Sequence, residues 1–115
     1  MPDPEPWCTI GDPEKRLRHG LGELYDYYER NEPMLSTVMR DMALDPVTAE
    51  IVQMRHGPPL AAIRTVLANG RRSKRALAML DVALSFSTWR TMTVESGISR
   101  KQAVETMVAA IRCAH

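Results

Sequence analysis

Only a few side chains in this sequence are of the types that carry acid–base, nucleophilic or metal chemistry: His19, His56, His115, Cys8 and Cys113. The chain has no GxSxG nucleophile motif, no glycine-rich phosphate loop with a following lysine, and no HExxH zinc motif. Because catalysis needs such groups to converge, the sequence predicts no enzyme, no catalytic residue, no metal and no cofactor. A small helical enzyme is the alternative, and it requires His19 or His56 beside an acidic partner in a cleft.

His56 is the most informative of the histidines because it directly precedes Gly57-Pro58-Pro59. The two prolines lack N–H groups and disfavour helical backbone before them, so the sequence predicts that a helix stops near His56. An imidazole at such a helix end can interact with the free carbonyl groups, or it can contact a ligand. Both interpretations stay open from the sequence.

A second group of side chains could line a pocket for an apolar molecule. Tyr25 and Tyr28 are one helical turn apart, and Phe86 and Trp89 are three residues apart. Methionine side chains adapt to varied apolar shapes, and eight of them occur here. Tyrosine hydroxyls and the Trp89 indole could orient a ligand with one polar end. The candidate ligand-binding residues, each of which also fits a core position, are Tyr25, Tyr28, Met39, Met42, Met54, His56, Met79, Phe86 and Trp89.

Composition and charge place these residues in a globular protein of one domain. The chain has 115 residues, of which 44% are hydrophobic and 25% charged, with a formal net charge of +1. These values exclude wholesale disorder and leave no global field to attract DNA or an acidic membrane. No apolar run approaches the ~20 residues of a membrane span, and no signal peptide is recognisable, so we expect a cytoplasmic location without membrane contact. Cys8 and Cys113 are expected to be reduced thiols.

Helix start and stop signals divide the first two thirds of the chain into four predicted helices. Asp12-Pro13, Asn31 and Asp45-Pro46 are typical helix starts, and apolar residues follow each of them at helical spacing. A fourth helix is predicted to restart near Pro59 and to end at Asn69-Gly70. Residues 1–11 contain three prolines and no periodicity. This segment is interpreted as a linker or severed connection, and residues 12–115 as the folded domain.

The last third of the chain is more apolar. From Ala76 to Phe86, every position but Asp81 and Ser85 is apolar. A helix of this kind must be covered on more than one side, either within its own domain or partly by a second copy of the chain. Ser99-Arg100-Lys101-Gln102 is a capping box that starts the last helix. The sequence therefore predicts an all-α fold, a bundle of five to six helices.

Two stretches of the sequence carry a family resemblance. They are DPEKRLRHGLGELYDYYERNEPML, from Asp12 to Leu35, and LDVALSFSTWRTMTVESGISRKQAVETMV, from Leu80 to Val108. Their residues and order resemble the C-terminal effector-binding and dimerisation domain of TetR-family bacterial transcription regulators. The family's proteins begin with a helix-turn-helix domain that no segment here supplies. The resemblance therefore implies that DNA is contacted only through an N-terminal domain missing from this chain.

The resemblance also implies a homodimer and a ligand pocket. A long helix from about Ser73 to Glu95 and the capped helix from Ser99 are expected to pair with their copies as a dimeric four-helix bundle, and the first, middle and long helices to enclose the pocket. Asp81 either fixes the dimer register, serves a basic neighbour such as Arg90 or Arg112, or faces solvent. The expected interface residues are Leu77, Leu84, Val104, Met107, Val108 and Ile111.

The sequence thus favours one function and leaves one alternative. It predicts a regulatory, homodimerising domain of a TetR-like repressor that senses a small, largely apolar effector. The alternative is a purely structural helical dimerisation module whose pocket is filled by its own side chains and holds no ligand.

Overall fold

The computed structural model describes all 115 residues, and every regular element in it is helical. A short 3-10 helix (Glu5–Thr9) comes first, and a π-helical segment (Thr91–Glu95) continues α5. The six α-helices are α1 (Pro13–Arg30), α2 (Glu32–Leu44), α3 (Pro46–Ala68), α4 (Lys74–Leu84), α5 (Phe86–Arg90) and α6 (Arg100–Cys113). The predicted all-α fold of five to six helices is confirmed.

Helix α1 lies at the centre of the core, where it contacts α6, α4 and α3. Its apolar stripe follows the predicted spacing, and Leu17, Leu21 and Leu24 are fully buried. Helices α1 and α6 run antiparallel. Glu14 near the start of α1 pairs with Arg112 near the end of α6, and Asp26 near the end of α1 pairs with Arg100 at the start of α6. These exposed pairs fix the antiparallel register of the two helices more than they add stability.

Local signals set the helix starts as predicted. The Asp12 carboxylate accepts a hydrogen bond from Lys15 N, and Asp45 accepts one from Val47 N. The capping box of α6 is complete, since Ser99 and Gln102 each accept from the backbone N–H of the other. Asn31 differs, because its side chain donates to the carbonyl of Tyr27 and so closes α1 rather than capping α2.

Helix α3 runs through Gly57-Pro58-Pro59, so the predicted stop near His56 is wrong. The prolines remove the N–H groups that would meet the carbonyls of Met54 and Arg55. Pro58 and Pro59 are exposed, so water can solvate those carbonyls, while Ile63 and Leu67 anchor the end of the helix in the core. His56 therefore lies within a helix and does not interact with a helix end.

The expected long helix from Ser73 to Glu95 is broken at Ser85, whose backbone is extended (φ −71°, ψ 134°). The break frees the carbonyls of Ala83 and Leu84 from their usual partners four residues on. Two tyrosine hydroxyls from α1 meet these carbonyls, and the Ser85 hydroxyl accepts a hydrogen bond from Ser87 N. The chain can therefore turn between α4 and α5 without leaving buried polar groups unpaired.

Residues 1–11, interpreted from the sequence as a linker or severed connection, include the 3-10 helix, which packs against the domain through Trp7. Trp7 is fully buried between α1 and α3, and its Nε1 donates to Glu23 Oε2 over 3.0 Å. The guanidinium group of Arg16, itself buried, donates twice to the carbonyl of Ile10. An indole ring covers apolar surface that would otherwise be exposed, and this explains why a segment without periodicity is ordered.

Five of the six residues expected at a dimer interface lie inside the monomer. Leu84, Val104, Met107, Val108 and Ile111 are at most 6% exposed. These side chains are buried because α6 packs on α1 and α4 of the same chain, and this packing covers the whole apolar stripe of α6. The sixth, Leu77, is half-buried. Five of the expected interface side chains thus contribute to the core of the single chain, and the four-helix bundle with a second copy stays a prediction. No helix is long and apolar enough to cross a membrane.

Candidate functional site

A groove of about 510 Å³ separates the α2–α3 hairpin from the rest of the domain. Asn31 links α1 to α2, and the Asp45-Pro46 start turns the chain directly into α3. Helix α2 has no buried residue, whereas the end of α3 is anchored in the core by Ile63 and Leu67. Typical small-molecule sites are of comparable size, at roughly 300–1,000 Å³.

The groove walls are mainly apolar. On the hairpin side they come from α2 and the middle of α3, and on the opposite side from the end of α1 and the α4–α5 break. Of the residues predicted to bind a ligand, five line it: Tyr28, Met39, Met42, His56 and Phe86. The other lining residues are Met1, Leu35, Val38, Val52, Gln53, Gly57, Leu60, Ala61, Arg64, Asp81, Leu84 and Ser85.

Stacked aromatic rings form the floor of the groove. The Tyr28 and Phe86 rings meet edge to face, with centroids 5.3 Å apart, and Phe86 stacks on Trp89 at 5.6 Å. Trp89 lies behind Phe86, is 3% exposed, and its Nε1 has no hydrogen-bond partner. Rings in such pairs hold one another in place, so the floor is rigid where the methionine wall is adaptable.

The tyrosine hydroxyls are used for structure and not for a ligand. Tyr25 Oη donates to the Ala83 carbonyl and Tyr28 Oη donates to the Leu84 carbonyl, at 2.5 and 2.6 Å. Burial raises the pKa of both hydroxyls well above the usual tyrosine value, so both stay protonated as donors. The expectation that these hydroxyls orient a ligand is therefore wrong; Tyr28 offers the groove only its ring.

The lining of the groove includes an ion pair between α3 and α4. Arg64 Nε donates to Asp81 Oδ1 at 2.6 Å, and Arg64 Nη2 lies 3.3 Å from Asp81 Oδ2. This hydrogen bond raises the pKa of Arg64 above its already high value, so the guanidinium is charged at all relevant pH. Asp81 therefore pairs with a basic neighbour, Arg64, and its side chain is also 53% exposed to solvent. A role of Asp81 in the dimer register stays a prediction. His56 and Gln53 add two further polar side chains on α3.

Four predicted ligand residues lie outside the groove. Tyr25 and Trp89 lie in the core behind its floor. Met54 is 73% exposed on the far side of α3, and Met79 packs half-buried against the core. Two lining residues that were not predicted, Leu35 and Val38, lie on α2 at helical spacing with Met39 and Met42. The apolar periodicity of α2 could therefore have identified them from the sequence. Nothing local in the sequence indicates Ser85 or the Arg64–Asp81 pair, which depend on how α3 meets α4.

Outside the groove, one histidine lies beside a carboxylate: His19 Nε2 is 3.0 Å from Glu23 Oε1, and both side chains are about half exposed on the surface of α1. Cys8 and Cys113 are both free and exposed. Nowhere do three His, Cys, Asp or Glu side chains come together in a way that could hold a metal ion. The groove is therefore the candidate functional site.

Comparisons of the chain with family models, with curated proteins and with solved structures give no match. The geometry of the groove and the resemblance noted in the sequence are the grounds for the functional proposal.

Proposed function

We propose that this chain is a small-molecule-sensing, homodimerising regulatory domain of a TetR-like repressor, and that the groove is its effector site. The observation that carries the proposal is a mainly apolar groove of about 510 Å³ whose lining includes the Arg64–Asp81 ion pair. Sites for small ligands combine apolar walls with a few polar groups that fix orientation, and this groove has both.

The lining indicates what the effector is like. Val38, Met42 and Leu60 offer apolar surface along the hairpin, so most of the effector is apolar. The charged pair and His56 lie along the same cavity and can both donate and accept hydrogen bonds. We therefore expect a molecule with an apolar body and one polar group that can meet Arg64, Asp81 or His56.

The groove favours binding over catalysis. Asp81 is engaged by Arg64, and His56 has no hydrogen-bond partner in the chain that could orient it as a base. Acid–base catalysis needs a donor or acceptor that its neighbours hold in position, and no residue of the chain holds His56 in that way. Effector binding would instead hold the hairpin against the domain and shift the population of its positions.

A structural module without a ligand is the second candidate. Two observations favour it. The hydroxyls of Tyr25 and Tyr28 donate hydrogen bonds to carbonyls at the α4–α5 break and so do not face a ligand, and Trp89 is buried in the core. In that case the groove is a packing gap under the hairpin and takes up no molecule.

A dye titration separates the two candidates. The probe is 1-anilinonaphthalene-8-sulfonate, an apolar molecule with one charged group, and its fluorescence is followed against dye concentration. We expect saturable binding, weakened at least ten-fold by Met42→Asp on the groove wall. Val94→Asp is the matched control, because Val94 is an exposed apolar residue on the π-helical segment and does not line the groove. Dye binding that Met42→Asp leaves unchanged, or no saturable binding, would support the structural module.

A further inference from the structure

The α2–α3 hairpin is attached to the domain mainly through its two ends. No residue from Glu29 to Ala62 is buried, whereas Tyr28 and Ile63, which flank this range, are buried in the core. We call residues 33–56 the flap. Apart from the hydrogen bonds of α2 and α3 themselves, no hydrogen bond or ion pair joins the flap to the rest of the chain. Of its apolar side chains, Leu35 near the start of α2 packs against the core.

Helix α3 has its weakest backbone at Gly57-Pro58-Pro59. The two prolines lack N–H groups, so the carbonyls of Met54 and Arg55 have no helical partner four residues on. Sharp bends in helices occur at such prolines. Gly57 adds to the weakness, because it has no side chain to restrict its backbone. Beyond this point α3 is anchored in the core, so a bend here moves the flap.

This weak point divides the walls of the groove. Met42, Val52 and His56 lie on the flap, whereas Tyr28 and Phe86 lie on the body of the domain. The body holds its two aromatic residues in place, because Tyr28 is buried and its ring meets Phe86 edge to face. A bend at the prolines therefore changes the distance between the two walls.

We propose that the flap swings as one unit about two hinges, Gly57-Pro58-Pro59 and Asn31, and so opens and closes the groove. Asn31 is the second hinge because it joins α1 to α2 with a backbone outside the helical region (φ −117°, ψ 15°). Helices α2 and α3 pack along each other, so they move together. Hinges in proteins are a few residues that absorb changes in φ and ψ in this way. That an effector enters when the flap opens rests on the proposed function, whereas the movement itself does not.

Distances between two spin labels, measured by double electron–electron resonance on the full chain, test the movement. One label is placed on the flap by Glu50→Cys and one at the start of α1 by Lys15→Cys, since both side chains are exposed. Cys8→Ala and Cys113→Ala remove the two native thiols. The reference pair is Lys15→Cys with Val94→Cys, in which both labels lie on the body. We expect a broad or two-component distance distribution for the flap pair and a narrow one for the reference pair, and equal widths would overturn the proposal.

Replacement of the prolines identifies the hinge. Pro58→Ala/Pro59→Ala supplies the two missing N–H groups, so the helix should stiffen and the flap pair should lose its excess width. The matched control is Pro46→Ala in the first turn of α3, because a proline there replaces no hydrogen bond of the helix. This control should leave the distribution unchanged. A width that survives Pro58→Ala/Pro59→Ala, or that Pro46→Ala reduces equally, would sink the hinge.

The dye 1-anilinonaphthalene-8-sulfonate separates the movement from the proposed function. If the dye occupies the groove, a saturating concentration should narrow the distribution of the flap pair towards one distance. A proline-dependent distribution in a chain that shows no saturable dye binding supports the hinges and contradicts the effector site. A narrow distribution in the free protein together with saturable dye binding overturns the hinges and leaves the proposed function standing.

Discussion

The hydroxyl of Tyr28 on α1 donates to the carbonyl oxygen of Leu84, the last residue of α4, at 2.6 Å. One turn earlier, Tyr25 makes the same contact with Ala83. These bonds let the chain break at Ser85 while the adjoining carbonyls stay buried and satisfied. The break in turn places Phe86 on the groove floor, so the shape of the groove depends on two hydrogen bonds in the core.

Removing either hydroxyl should destabilise the fold. Tyr25→Phe and Tyr28→Phe each leave a buried carbonyl without a donor, and we expect each to lower the free energy of unfolding by about 1–3 kcal/mol. Urea denaturation followed by circular dichroism measures this change. Tyr27→Phe is the control, because the Tyr27 ring is half-buried and its hydroxyl makes no hydrogen bond within the chain. Equal stability in all three variants would mean that the carbonyls find other partners.

Stability should also fall at high pH because of the same two residues. Burial raises the pKa of Tyr25 and Tyr28 in the folded state, so above the ordinary tyrosine pKa of about 10 they ionise only in the unfolded chain. Their contribution is full below pH 10 and is lost as the pH rises further, by about 1.4 kcal/mol per pH unit for each tyrosine. Urea titrations between pH 9 and 11.5 should show a steeper loss in the wild type than in Tyr25→Phe/Tyr28→Phe. Parallel curves would contradict the assignment.

Two glycines of α1 should respond oppositely to alanine. A Cβ at Gly20 would lie 2.7 Å from Leu67 Cδ2 and 3.1 Å from Trp7 Cε3, both in the core, whereas a Cβ at Gly22 meets open space. Gly22→Ala should stabilise the fold by about 0.5–1 kcal/mol through helix propensity. Gly20→Ala should destabilise it, because overpacking costs about 1–3 kcal/mol. Thermal unfolding of the two variants gives the comparison, and a stabilised Gly20→Ala would show that α3 can move away from α1.

The N-terminal segment should be necessary for stability. Trp7 fills space between α1 and α3, so Trp7→Ala is expected to lower the free energy of unfolding by about 3–5 kcal/mol. Cys8→Ala, on the exposed side of the same 3-10 turn, should change it little. Denaturant midpoints for both variants test this pair. A small effect of Trp7→Ala would instead support the interpretation of residues 1–11 as a linker or severed connection.

The features that the sequence predicts correctly are the local ones. The Asp12, Asp45 and Ser99 caps act within three residues of themselves, and the stripes of α1 and α6 have clear helical spacing. The capping bonds form without help from distant parts of the chain, so their patterns can be interpreted one segment at a time.

The features that were missed depend on distant partners. The break at Ser85 is stabilised by tyrosines 56 and 58 residues away in sequence from the carbonyls that they meet. Pro58 and Pro59 are tolerated because they lie on the exposed side of α3, where water can solvate the free carbonyls. Trp7 is ordered because its ring is buried between α1 and α3. The groove follows from these contacts, which explains why five of nine predicted ligand residues line it and the others do not.

If the groove binds a small apolar molecule, the methyl groups of the chain's own methionines will report the binding. With all eight methionines carrying ¹³C-methyl groups, NMR spectra are recorded during titration with 1-anilinonaphthalene-8-sulfonate. We expect saturable shifts of the Met39 and Met42 methyl signals with one common dissociation constant, while the signals of Met34 and Met54, which are exposed outside the groove, stay unchanged. Shifts confined to Met34 and Met54, or no saturable shift at all, would contradict it.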